Sequence, residues 1–316
     1  MEKTIQSCIQ SALSQDYDNF EVIVADNQST DKTFDIASKI KNERLRVIRN
    51  EANLGMYANH NRCLEIAHGD WIKFLHGDDE LLSNCVSKMA DAVRLCPKNT
   101  ALIGCGAIVF DHKDRKKYKT YIPQELFIMM QADVKEFILE GNFFGTPTMV
   151  LLHRKTLLDI GGFNISMGYC ADGDCWIKLR RHFASAVLPE HLIKLTEDPL
   201  GSLEQRSKRL YISFKESLHL IKKWYLMDEQ DSKKIFHKTI YADWLSHEML
   251  RYWNSALRYM VIGRLDILSL LLQELYHHNM ILKSFWYYLY NRLRGLNASS
   301  FRSQPWTSSL KKLQVK

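Results

Sequence analysis

The sequence predicts an α/β protein, a mostly parallel sheet flanked by helices, with a helical extension at its C-terminal end. Three observations lead there. Short apolar, β-branched runs alternate with helix-periodic stretches through roughly the first two hundred residues, the pattern of βαβ units. The connections between these stretches are short, as such units require. Strand signals then stop near residue 203, which divides the chain into an α/β part, 1–203, and a basic, aromatic-rich helical part, 204–316.

The elements follow in order. Residues 3–15 place Ile5, Cys8, Ile9, Ala12 and Leu13 on one stripe at helical spacing. The run NFEVIVAD (19–26) reads as a buried strand ending in Asp26, and Ser29, Thr30 and Asp31 are candidate caps for the helix after it. RLRVIRN (44–50) is a strand, 55–69 a helix and DWIKFLHG (70–77) a strand. Pro97 stops a helix over 81–97, and strands are expected over 101–111 and 146–154. A short helix ends at Gly161 and Gly162, and the last helix, 171–183, carries Asp172 and Asp174 in its first turn.

Composition excludes several classes. With 46% hydrophobic and 25% charged residues and only 14 Gly and 6 Pro, the chain is globular rather than disordered or repetitive. Seven scattered cysteines form no CxxC pair, which suggests reduced thiols and a cytoplasmic setting. No secretory leader and no run of about 18 apolar residues is visible. The net charge of +7 is uneven. From residue 205 onward there are about 19 Lys and Arg against 8 Asp and Glu, which leaves the first part slightly acidic. The phosphate-loop, dinucleotide, HExxH and GxSxG patterns are all missing, which lowers the kinase, dehydrogenase, metalloprotease and hydrolase readings.

The candidate site residues cluster where strands end. In such sheets ligands bind beyond the carboxyl ends of the strands, so Asp26 and Asn27 would share a face with Asp78 and Asp79 if their strands share a sheet. FLHGDDELL (74–82) places Asp78 and Asp79 after an apolar run. The bland reading is a turn or a helix cap. The sharper one is a carboxylate pair that shares Mg²⁺ or Mn²⁺ with a diphosphate. His76 beside them is either a neighbouring ligand or a structurally satisfied histidine. Asp26 and Asn27 are either a strand-end turn or a reader of a base or ribose. Asp172 and Asp174 are either dipole-favoured first-turn carboxylates or, for an exposed one, a catalytic base.

In this order the segments SALSQDYDNFEVIVADNQSTDKT, NEANLGMYANHNRCLEIAHGDWIKFLHGDD, GTPTMVLLHRKTLLDIGGF and ADGDCWIKLRR resemble the family 2 glycosyltransferases, which have a GT-A fold. The resemblance covers roughly residues 4–200. It implies nucleotide binding by Asp26, Asn27 and Asp78, a metal on Asp79 and Asp78, and Asp172 as the base that deprotonates the acceptor. Three departures stand out: Asn27 replaces a frequent Asp, His76 replaces the leading carboxylate of the metal motif, and Ala171 replaces a frequent Glu. The implied reaction is an inverting displacement that moves a sugar from a nucleoside-diphosphate-sugar to a hydroxyl of a glycan or lipid-linked acceptor, in cell-surface polysaccharide biosynthesis.

The family's opening β-strand is absent ahead of Thr4, so the sequence is expected either to start late or to be a degenerate copy, a non-catalytic relative that binds or scaffolds. GNFFGTP (141–147) is expected to line a sugar pocket, although Phe143 and Phe144 suit a core equally well. The aromatic and basic stretch 284–296 is expected either to pack on the catalytic part or to dock peripherally on the inner face of a membrane. No nucleic-acid partner is expected, because no recognised module accompanies the charge.

Overall fold

The computed structural model describes residues 1–131 and 144–197, apart from 112, 114 and 121, and isolated helical positions between 212 and 269. Phe143 and the stretch 284–296 lie outside the described residues. The chain separates into two compact units, residues 1–132 with 144–200, and 133–143 with 201–316. The first contains every candidate site residue.

That unit runs α1 (Ile5–Leu13), β1 (Val22–Asp26), α2 (Thr33–Lys39), β2 (Leu45–Arg49), α3 (Met56–Ile66), β3 (Trp71–Lys73), β4 (Glu80–Leu81), α4 (Cys85–Leu95), β5 (Thr100–Asp111), β6 (Lys116–Lys119) and β7 (Phe127–Met129). A 3-10 turn at Pro147–Met149 leads into β8 (Val150–His153), α5 (Arg154–Asp159), α6 (Ala171–His182) and β9 (Ala184–Glu197). The expected helix-flanked α/β architecture is present, but its pairing is mixed rather than mostly parallel. Among the described residues only β1 with β2 and β5 with β9 run parallel, while β3, β4, β6, β7 and β8 all pair antiparallel.

The strands also fall into two sheets. β1 and β2 form one, and seven strands form the other in the order β3-β8-β5-β9-β4, with β6 beside β5 and β7 beside β9. The condition under which Asp26 and Asp78–Asp79 would share a face, a common sheet, is therefore not met. Helices join the two layers instead. α1 places Ile5 and Ile9 against Ala37, Val24 and Val47 of the smaller layer, and Ala12 in the core of the larger one.

β5 is the centre of the larger sheet, buried on both faces over its first eight residues. Ile103, Cys105 and Ala107 point into the cluster with Cys85 and Met89 of α4, as a period of two requires. Gly104 points the other way, where a Cβ would come within 2.9 Å of the Phe144 ring. Phe144 is thus core, 1% exposed, and not a pocket wall. β9 was not legible as a strand because Pro189 interrupts it. Its register against β5 shifts between Gly104 and Gly106, and such an irregularity accommodates a residue with no N–H.

Candidate active site

Asp78 and Asp79 sit in a turn between β3 and β4, closed by the Asp79 N–H donating to His76 O at 3.0 Å. No helix starts at ELL, so the helix-cap reading is set aside. The two carboxylates differ sharply. Asp78 is half-buried, whereas Asp79 is 5% exposed and held by two distant elements. Thr196 N, at the end of β9, donates to Asp79 Oδ1 at 3.0 Å. Thr148 Oγ1, in the 3-10 turn, donates to Oδ2 at 3.2 Å. Burial, followed by the neighbouring Asp78 charge, pushes the Asp79 carboxyl up to about 7, against those two hydrogen bonds and the Lys73 ammonium. Lys73 itself donates to the carbonyls of Thr148 and Val150.

A buried carboxylate beside a second one is an arrangement that a cation would relieve. Among the described residues no three His, Cys, Asp or Glu side chains converge as a metal cage. Two carboxylates are oxygen donors of the kind that a hard divalent ion sharing a diphosphate would use.

His76 and His60 extend this turn inward. Their Nε2 atoms are 3.3 Å apart, and His60 Nδ1 lies 2.7 Å from Met56 O. Burial pushes His60 down to about 4 and lowers His76 as well. His60 belongs to a ring cluster with Tyr57, Phe74 and Phe163, and Phe163 in turn meets Trp176.

Phe163 is placed by Asn61, whose amide donates to Phe163 O and accepts from Phe163 N, both at 2.9 Å. Gly162, at φ +66°, lets the chain pass this side chain, because a Cβ there would fall 2.5 Å from Asn61 Oδ1. The sequence pointed to neither Asn61 nor His60. Polar residues inside an amphipathic helix carry no signal until their partners are known.

Asp172 lies half-buried in the first turn of α6, its Oδ1 accepting from Gly173 N at 2.7 Å. Asp174 is fully buried and pairs with Lys178 at 2.9 Å, which makes it a structural carboxylate. Trp176, one turn along, donates from Nε1 to Gly145 O at 3.2 Å. The helix bearing Asp172 is thereby tied to the Gly145–Thr148 segment, whose last residue holds Asp79.

Asp26 and Asn27 are both engaged by neighbouring protein groups. Asp26 is 5% exposed, pairs with Arg49 at 3.2 Å and accepts from Ser29 N at 3.3 Å. The Asn27 amide is saturated by protein. It donates to Asn53 Oδ1 and Gly55 O and accepts from Asn50 Nδ2 and Leu54 N, all between 2.9 and 3.2 Å. An amide has four such positions, and all four are filled. Asn59 links this network back to Ala25 O at 3.1 Å.

The fold is that of the GT-A glycosyltransferases. Staphylococcus aureus TarS superposes with a TM-score of 0.51 at 20% identity, covering 78% of this chain and 41% of that one. A second TarS structure, in complex with UDP-GlcNAc, gives 0.51 at 17% identity, covering 88% and 89%. The model of glycosyl transferase family 2 matches residues 2–161, and the chain belongs to this family.

Among relatives, the uncharacterized Mycobacterium tuberculosis protein MT1568 is 31% identical over 201 residues, 60% of this chain and 61% of that protein. The Escherichia coli UDP-Glc:α-D-GlcNAc-diphosphoundecaprenol β-1,3-glucosyltransferase WfaP is 43% identical over 84 residues, 27% of this chain and 34% of that protein. Bacillus subtilis EpsE, whose name assigns it provisionally to the glycosyltransferases, is 34% identical over 211 residues, 62% and 69%. The chain thus spans less than two thirds of the first two. All seven cysteines are free thiols, and among the described residues no helix is long and apolar enough to cross a membrane.

Proposed function

We propose that this chain transfers a sugar from a nucleoside-diphosphate-sugar to a hydroxyl of a glycan or lipid-linked acceptor, with inversion, in the building of a cell-surface polysaccharide. One observation carries the reading. The helix that carries the half-buried Asp172, through Trp176, and the acidic turn, through Asp79, are both bonded to the short segment Gly145–Thr148, which supports reading the two carboxylates as parts of one site. Family membership and a structural neighbour solved with UDP-GlcNAc support the donor class. A relative named for transfer to a diphosphoundecaprenol-linked sugar supports the acceptor class.

In this reading Asp172 accepts the acceptor's proton as its oxygen attacks the anomeric carbon from the face opposite the leaving group. Mg²⁺ or Mn²⁺, held by Asp79 and Asp78 together with the donor's diphosphate, would supply the positive charge that stabilises the departing group. Asp26 and Asn27 contribute through the loop they brace, with Asp78 nearest the ribose and phosphates. Peripheral membrane docking would belong to the basic stretch 284–296.

A second reading has its own observation. Asn27 has no hydrogen-bonding position left for a base, which suits a relative that binds or scaffolds without turnover. Calorimetry with UDP, dTDP and GDP, each with and without Mn²⁺, followed by a transfer assay, separates the two. Metal-dependent binding of one nucleotide with release of its diphosphate form from the sugar donor supports the enzyme. Binding without turnover supports the scaffold, and no binding in folded protein overturns both.

A further inference from the structure

The direction in which α6 presents Asp172 is set from outside that helix. The Cys170 side chain makes no capping hydrogen bond to its first turn. Asp172 and Trp176 are one turn apart, so they lie one above the other on the same face. Whatever fixes the Trp176 ring therefore fixes the side of α6 from which the carboxylate emerges. Trp176 is fully buried, bonded through Nε1 to Gly145 O at 3.2 Å and met edge-on by Phe163, with 6.0 Å between ring centroids.

Phe163 is in turn held from α3. Asn61 takes both backbone polar groups of Phe163, donating to its O and accepting from its N, each at 2.9 Å. Two bonds fix the orientation of that segment as well as its position. α3 is itself anchored, with Asn59 donating to Ala25 O at 3.1 Å and Leu64 O accepting from Arg154 Nε at 2.8 Å. The loop from Phe163 to α6 has little slack. Met167 is buried and its N donates to Asn164 O at 3.2 Å, while Asn164 Oδ1 accepts from Ser166 N at 3.1 Å and Ser166 Oγ at 2.8 Å. We propose that Asn61 is a positioning residue for sugar transfer: through Phe163 and Trp176 it sets where Asp172 meets the acceptor hydroxyl. A base moved off hydrogen-bonding distance loses rate while ground-state binding is kept.

This inference rests on the reading of Asp172 as the base, and two measurements keep their failures apart. Both use the full chain as parent, Asn61→Ala, Asp172→Asn and the double variant. Backbone hydrogen exchange over residues 171–177 needs no ligand. Asn61→Ala should lose about tenfold in protection there, and unchanged protection overturns the role. Steady-state transfer from UDP-glucose or UDP-GlcNAc to GlcNAc-diphosphoundecaprenol, at a temperature where every variant is folded, reads the chemistry. Asn61→Ala should lower kcat by about 10- to 100-fold, with KM and the calorimetric affinity for UDP unchanged. Adding Asn61→Ala to Asp172→Asn should cost nothing further, because the base to be placed is already gone. A loss of stability with kcat intact overturns the positioning role, and so does a double variant in which the two losses multiply. If the parent transfers no sugar, the failure is that of the proposed function, and exchange over 171–177 alone decides whether Asn61 holds the head of α6. Should Asn61→Ala fail to fold, Asn61→Asp keeps the bond from Phe163 N, loses the one to Phe163 O and carries the same comparisons.

Discussion

Asp79 Oδ1 accepts a hydrogen bond from Thr196 N at 3.0 Å, joining the acidic turn to the end of a strand 117 residues away. With Thr148 on the other oxygen, the carboxylate is both a site group and a fastening. Asp79→Asn should therefore fold almost normally, with its carbonyl toward Thr196 N and its NH₂ toward the Thr148 hydroxyl. Metal-dependent nucleotide binding should vanish with the charge. Asp79→Ala leaves the Thr196 and Thr148 donors without this acceptor and should cost about 1–3 kcal/mol. Calorimetry and chemical denaturation of both variants check the contrast.

The two carboxylates at the head of α6 should part company. Asp172→Asn is expected to lower transfer by roughly 10²–10⁴-fold while donor binding is unchanged, the signature of a lost base. Asp174→Asn should instead lower stability by roughly 2–3 kcal/mol, because it breaks a pair whose acid is fully buried and whose Lys178 is only partly exposed. Transfer kinetics and melting curves on the same samples would show it. Equal transfer in Asp172→Asn and the parent protein would defeat the assignment.

Asn27→Asp restores the residue common at this place, yet it is expected to destabilise this chain by about 1 kcal/mol. The amide donates to Asn53 Oδ1 and Gly55 O, and a carboxylate would set a negative oxygen against both. Unfolding in urea measures the loss. A more stable variant would show that the network around Asn50, Asn53 and Asn59 is not what holds this loop.

Adjacent glycines should respond unequally to alanine. Gly161 and Gly162 both have positive φ, +84° and +66°, but a Cβ meets nothing within 4 Å at Gly161 and meets Asn61 Oδ1 at 2.5 Å at Gly162. Gly161→Ala should cost about 1 kcal/mol from backbone strain alone. Gly162→Ala should cost clearly more, because it also displaces the clamp on Phe163. Comparing the two denaturation midpoints tests whether that clamp matters.

The order of helices and strands through residue 111, apart from the two-residue β4, the acidic turn and the head of α6 were legible in the sequence, since each is local: a periodicity, a stop at Pro97, a pair of carboxylates after an apolar run. Asp172 and Asp174 look alike in sequence, and only packing separated them, by sealing Asp174 against Lys178 and leaving Asp172 half-buried. Sheet direction was not local either. A mostly parallel sheet was expected, yet β3 and β8 pair antiparallel because pairing depends on where the intervening chain returns. Nor was the fate of Asn27, whose four hydrogen bonds come from residues up to 28 positions away. Sequence determined which groups were present at each strand end and helix head. Tertiary structure decided which of them remained available for chemistry, because burial and hydrogen-bond saturation are set by partners that only folding brings together.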